Sequence, residues 1–265
     1  MIQLQDTGGA DTGKFALQVV PCKDSNDFHE SETGVMIKPH GTDTLNPLFV
    51  QNKKQRTQFL QEADSLPSIV ISSAAAANAV MLGSGYFNPL TGYMNRADSL
   101  GVAENMRTTD GLFWPVPIVN VVKNTDGIKG IKRIALRDPN LDGNPVLAIQ
   151  TVEAIEEFTD NDMKLMTEKV FRTTDPNHPG VAAFNSVGKI VLSGPIQVLN
   201  FSYFEKEFPE TFRTAYQIRE EMQELGWEKV VAFQTRNPMH LAHEELCRMA
   251  HKAVNGDGIL IHMLL

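Results

Sequence analysis

The sequence predicts a mixed chain, β-rich in its amino-terminal part and α/β in its carboxyl-terminal part, where it ends in a strand, helix, strand unit. Two observations carry that prediction. From Met36 to about Asn200, short β-branched or alternating runs recur between turn clusters. After Pro195 the texture changes to longer helical periods alternating with single strands.

In the first part the expected strands are Ser68–Ile71, Phe113–Val122, Ile131–Leu136, Pro145–Val152 and Lys189–Leu199. Turns fall at Asn124-Thr-Asp-Gly127, Asp138-Pro-Asn140 and Asp142-Gly-Asn144. Helices are expected over Ala74–Leu82, Ala97–Met106 and Asp160–Phe171, the first ended by Gly83-Ser-Gly85. In the second part the periods predict a helix over Glu210–Leu225, a strand over Glu228–Phe233, a helix over Pro238–Val254 and a strand over Gly258–Leu265. Two strands joined by one helix imply a parallel pair, the unit of doubly wound sheets. Residues 1 to 35, rich in Gly, Asp, Ser and Thr, read as a loosely ordered extension. The expected organisation is therefore that extension, a β-rich domain over 36–200, and the start of an incomplete second domain over 201–265.

Composition narrows the partners. The 265 residues are 42% hydrophobic and 21% charged, ordinary globular material. A formal charge of −8 and a pI near 5.4 argue against nucleic acid or an anionic membrane as partner. Small anions remain open, because local donors hold them whatever the total charge. The two cysteines, Cys22 and Cys247, match no zinc or redox spacing, and the apolar stretch from Ile69 to Gly85 is too short and too polar to span a bilayer. With no secretory leader visible, the expected location is cytoplasmic.

The chemistry concentrates in Gln234-Thr-Arg-Asn-Pro-Met-His-Leu-Ala-His243, a strand end, a polar turn and a helix start. Asn237 is the expected N-cap and Pro238 the first helical residue, since proline's missing amide proton has no partner there. Ala242, Leu246, Met249, Ala250 and Ala253 form the expected buried stripe, with Glu244, Arg248 and His251 on a polar side. His240 and His243, three residues apart, project near the helix amino-terminus, where free amides and the helix dipole favour an anion. A guanidinium, a hydroxyl, two side-chain amides and two imidazoles at the end of a parallel strand suit a triphosphate.

The same segment resembles the QxRNPxHxxH signature of the ATP sulfurylase (sulfate adenylyltransferase) family, within the wider HxxH nucleotidyltransferases. Asn88-Pro-Leu-Thr-Gly-Tyr-Met94, Glu104-Asn-Met-Arg107, Trp114-Pro-Val-Pro117 and Thr174-Asp-Pro-Asn-His-Pro-Gly-Val181 resemble stretches of that family's PUA-like amino-terminal domain. The resemblance runs from about Ile37 to Ile261 and implies a PUA-like domain followed by the first βαβ part of a Rossmann-like domain. It implies adenylyl transfer from ATP to sulfate, giving adenylyl sulfate and pyrophosphate, or the reverse. Carried onto matching positions, Gln234 and Arg236 hold sulfate, and Thr235, Arg236 and Asn237 with Gln234 form the turn around ATP. His240 and His243 stabilise the developing phosphate charge, and Mg2+ arrives as MgATP with no protein-bound metal. Homo-oligomerisation is compatible with the full-length family member. The chain lacks the family's second, Gly-Arg-Asp-His type motif, and Met263-Leu-Leu265 stands where Pro-Leu-Val is expected. The expectation is a fragment lacking the carboxyl-terminal part, inactive alone and prone to aggregate.

Plainer readings compete. A lone HxxH pair is usually two surface histidines, and a zinc site would need Cys247 as its third ligand. Gly8-Gly-Ala-Asp-Thr-Gly-Lys14 nearly matches a P-loop, but Phe15 stands where Ser or Thr is needed. His178 reads as a structural turn residue, and Glu220, Glu221 and Glu224 as a solvated helix face. The alternatives to sulfate activation are another HxxH adenylyltransferase acting on a different acceptor, or a non-catalytic PUA-like binding module.

Overall fold

The structure, a computed structural model, describes residues 37–263 together with the backbone of two short strands upstream, β1 (Ile2–Gln3) and β2 (Gln18–Val19), which pair antiparallel. The remaining expectations for residues 1 to 35, including the P-loop-like run and Cys22, lie outside the described residues, as does the end of the strand expected to reach Leu265. Contacts divide the chain into Met1–Ile37 and Lys38–Leu265. The following concerns the second unit.

Its elements run α1 (Lys53–Ser65), β3 (Ser68–Val70), α2 (Ser73–Gly83), β4 (Gly92–Tyr93), α3 (Arg96–Asn105), β5 (Val121–Val122), β6 (Arg133–Arg137), β7 (Val146–Thr151), β8 (Ala154–Glu157) and α4 (Asp160–Met166). A π-helical turn, Thr167–Phe171, extends α4, and α5 (Pro179–Ser186) and β9 (Ile190–Val198) follow. The last part holds α6 (Phe204–Glu207), α7 (Ala215–Glu224), β10 (Val230–Thr235), α8 (Leu241–Val254) and β11 (Gly258–Met263).

A mixed sheet in the order β3-β6-β7-β9-β4, with β5 and β8 also on β9, forms the β-rich part. β9 serves two strand groups on either side of Gly194, whose φ of +127° is open to glycine. Its Ile196–Val198 end pairs with β7, and its Ile190–Ser193 end pairs with β8 and β5. The main core lies between this sheet and α2, whose Ala75, Ala76, Ala79, Val80 and Leu82 are buried. Gly83 brings α2 against β9: a Cβ there would stand 2.7 Å from Val198 Cγ1. α1 covers β6 and β7 through Ala63, and α4 buries Met163 and Met166 against Val121, Phe158 and Val191.

Several expectations need correction. The strand expected over Phe113–Val122 shrinks to Val121–Val122, with Phe113 in an isolated bridge to Arg107. Pro115 and Pro117 supply no amide hydrogen for a ladder. The helix expected from Glu210 starts at Ala215, because Thr214 and Gln217 form a reciprocal capping box there. α1, β4, β8, α5 and α6 are not among the expected elements. His178 is the N-cap of α5, accepting from the Val181 amide, and so is structural. Glu220, Glu221 and Glu224 are exposed on α7, as expected.

Asp162 shows how α4 is secured. Its Oδ2 accepts from the Thr159 amide at 2.7 Å, while Thr159 Oγ1 accepts from the Asp162 amide. The same oxygen takes Arg96 Nε at 2.9 Å and Nη2 at 2.7 Å, tying α3 to α4. Burial alone would raise this carboxyl, but the Thr159 amide, Arg96 and the Thr159 hydroxyl outweigh it and hold the group below its ordinary value of 3.8. Asp162→Ala is expected to cost about 2 kcal/mol in urea denaturation, the sum of a lost cap and a partly buried charged hydrogen bond. A folded pKa below the unfolded one gives stability that is fully present above about pH 4 and fades as pH falls through the lowered value. Asp162→Asn should therefore flatten the acid limb of the stability curve.

Candidate functional site

β10 and β11 pair parallel in a register running from Val230 opposite Gly258 to Thr235 opposite Met263. Two local devices secure the base of this pair. The Asp257 carboxylate accepts the Glu228 and Lys229 amides at 2.9 and 2.8 Å, and hydrogen bonds from the Lys229 and then the Glu228 backbone hold it below the usual range. At Gly258 the Trp227 indole lies so close that a Cβ would come within 2.3 Å of the ring. At the opposite, carboxyl end of β10 the chain leaves the sheet through Arg236–Met239 and enters α8.

The entry to α8 differs from expectation. Asn237 does not cap the helix and Pro238 is not inside it: His240 is the N-cap, with φ −133° and ψ 172°, and Leu241 opens the helix. His240 Nδ1 accepts from the Ala242 amide at 3.3 Å, and its carbonyl accepts the His243 and Glu244 amides at 2.9 and 3.1 Å. Asn237 is bound instead to the strand end: its amide donates to Thr235 Oγ1 at 3.1 Å, and that hydroxyl donates to the Asn237 carbonyl at 3.0 Å. The threonine hydroxyl thus closes the turn at Asn237, and the helix starts beyond Pro238 with His240 as its cap.

That shift makes the histidine spacing meaningful. With His240 at the N-cap, His243 is the third helical residue, the pair of positions that face each other in a capping box. The two rings lie 3.9 Å apart between centroids, tilted by 31°. The outer side of the His243 ring meets Phe233 at 5.5 Å. His243 Nδ1 is buried and has no hydrogen-bond partner among the described residues. Both imidazoles stand at the positive end of a 14-residue helix.

The structure thus joins Thr235 to Asn237 and His240 to His243. Gln234 and Arg236 are exposed, and among the described residues no carboxylate pairs with Arg236. Because side chains alternate along a strand, Gln234 lies on the sheet face opposite Phe233 and so opposite α8. Reasoning from sequence alone missed Tyr86, whose ring stacks on His262 at 5.3 Å beside that face. A tyrosine between glycine and phenylalanine in a distant loop carries no local signal of such a contact.

The expected apolar stripe of α8 is also corrected. Leu246 and Met249 are 39% and 50% exposed, and Ala242 and Ala253 are exposed too; the buried side chain is Cys247. The face that meets the two strands runs through His243, Cys247 and the half-buried Ala250, spaced four and three residues apart. The exit of the chain from β10 sets that rotation, and periodicity alone cannot report it. Among the described residues no three His, Cys, Asp or Glu side chains cluster as a metal site, and no helix is long and apolar enough to cross a membrane.

Comparison with known proteins agrees with this architecture. A family model described as a PUA-like domain matches residues 37–201, which defines the class of the β-rich part. A second, described as ATP-sulfurylase, matches 209–265, the part that holds the turn and both histidines. The chain is 63% identical over 230 residues to a sulfate adenylyltransferase of Alcanivorax borkumensis and 60% identical over 230 to one of Allochromatium vinosum. These alignments cover 87% of this chain and 57% and 58% of the relatives, so the chain spans little more than half their length. Among solved structures, a hexameric APS kinase from Thiobacillus denitrificans aligns with TM-score 0.65 and 26% identity, over 86% of this chain and 39% of that one. The chain thus carries a domain of the PUA-like family, and the part that follows it is similar to ATP-sulfurylases.

The cap assignment has a direct test. His240→Ala removes the capping acceptor and should lower stability by about 1 kcal/mol, while His240→Asn, a strong N-cap, should restore it without restoring an imidazole. Thermal unfolding by circular dichroism separates the two.

Proposed function

We propose that this chain supplies the PUA-like domain, over residues 36–200, and the first part of the nucleotide-binding domain, over 201–265, of a sulfate adenylyltransferase. The observation that carries the reading is the pair of imidazoles gathered at the start of α8, next to the Thr235–Asn237 turn. The relatives named sulfate adenylyltransferase support the choice of acceptor.

In this reading ATP lies across the carboxyl end of β10, with its phosphates on the turn Thr235, Arg236 and Asn237. Gln234 and Arg236 hold sulfate, the guanidinium by a two-pronged contact to two sulfate oxygens. A sulfate oxygen attacks the α-phosphorus in line, the bond to the bridging oxygen breaks, and pyrophosphate leaves on the far side; the reverse reaction retraces this path. Two anions must approach each other, so charge neutralisation and alignment account for most of the rate, and no protein nucleophile is needed. His240 and His243 face the growing negative charge, and the unpartnered Nδ1 of His243 has hydrogen-bonding capacity to spare. The donors gathered here are nitrogen-rich and suit phosphate oxygens, so Mg2+ comes as MgATP, bound by the nucleotide's own oxygens. A reaction that consumes ATP fits a cytoplasmic location.

Joining this chain to the remaining carboxyl-terminal part of the Alcanivorax borkumensis relative should give pyrophosphate release from MgATP that depends on sulfate; the chain alone should give little or none. Release independent of sulfate would favour a different acceptor, and salt-sensitive RNA binding would favour a non-catalytic module. In the joined protein, Arg236→Ala should cut kcat/KM by about a hundredfold or more, the loss of a charged contact to a reacting anion.

A further inference from the structure

The loop after α2, Ser84-Gly-Tyr86, reaches from the β-rich part to the sheet of β10 and β11. The Ser84 carbonyl accepts the Ala215 amide at 2.9 Å, at the start of α7. The Tyr86 hydroxyl donates to the Arg213 carbonyl at 2.9 Å, and its ring stacks on the His262 imidazole at 5.3 Å and 25°. Burial pushes the Tyr86 hydroxyl up to about 12, so it remains a donor throughout the physiological range. The ring is thereby held on both its edge and its face.

His262 lies opposite Gln234 in the parallel register, so the two side chains share the sheet face that α8 does not cover. A two-stranded sheet is marginal without packing from outside. On this face among the described residues, Tyr86 is the aromatic ring that meets β11, and it does so beside the predicted sulfate contact. We propose that Tyr86 is a positioning residue: through its stack on His262 it sets the carboxyl end of β11, and with it Gln234, for recognition of the sulfate group. The inference rests on the functional reading above for the identity of the anion. It assigns to the β-rich domain a part in substrate geometry, carried by one aromatic contact.

The test titrates adenylyl sulfate into the intact chain and follows the Gln234 side-chain amide by NMR. Tyr86→Leu should weaken binding about tenfold, as a small misplacement of one anion contact does, and should shift or broaden the free-state Gln234 amide. Tyr86→Phe keeps the ring and should recover most of the affinity and the native amide position. His262→Ala should reproduce the Tyr86→Leu behaviour, and it serves in its place if that variant unfolds. A native Gln234 amide with undiminished affinity in folded Tyr86→Leu or His262→Ala overturns the proposal. If the unaltered chain does not bind adenylyl sulfate, the functional reading fails, while the Gln234 amide still decides whether Tyr86 positions it.

Discussion

The candidate site depends on one substitution of partners at the end of β10. Thr235 Oγ1 holds the Asn237 amide in the turn, and His240 occupies the N-cap position. Had Asn237 capped the helix, His240 would have been the third helical residue and His243 would have lain about a turn deeper in α8. With His240 as cap, one imidazole accepts the Ala242 amide of the first turn while the other lies against it and Phe233. The same arrangement that stabilises the helix start concentrates nitrogen donors where a phosphate group is most favourably held.

The β-rich part reaches this corner through packed elements. Its strand β9 joins the strand groups, and α2 packs on β9 closely enough that Gly83 admits no side chain. The loop leaving α2 extends that packing outward, through Ser84 and Tyr86, to the first residues of α7 and to β11. The short parallel pair is thus held at its base by Asp257 and Trp227 and near its carboxyl end by Tyr86.

Much of the fold was legible because its signals are local. The helices α2 and α3, α4 with its π-helical extension, and the strands β6, β7 and β9 appear within a residue or two of their expected bounds, since period and turn residues act over a few positions. What failed to be legible depended on competition or on distance. Pro115 and Pro117 removed donors from a run whose composition favoured a strand, and the Thr235–Asn237 turn put the helix start at His240 rather than Asn237. The rotation of α8 was misread for a related reason: Leu246 and Met249 look like core residues, yet the strands meet the side of the helix that bears Cys247.

By itself the sequence determined the strand, helix, strand order of the last part, the family resemblance and the polar stretch from Gln234 to His243 in which the chemistry lies, because each of these is written in neighbouring residues. Only the tertiary structure decided which atom caps α8, how closely the two imidazoles approach, and that Tyr86 reaches His262. Those are relations among groups that several acceptors or partners could satisfy, and packing of the whole chain selects among them.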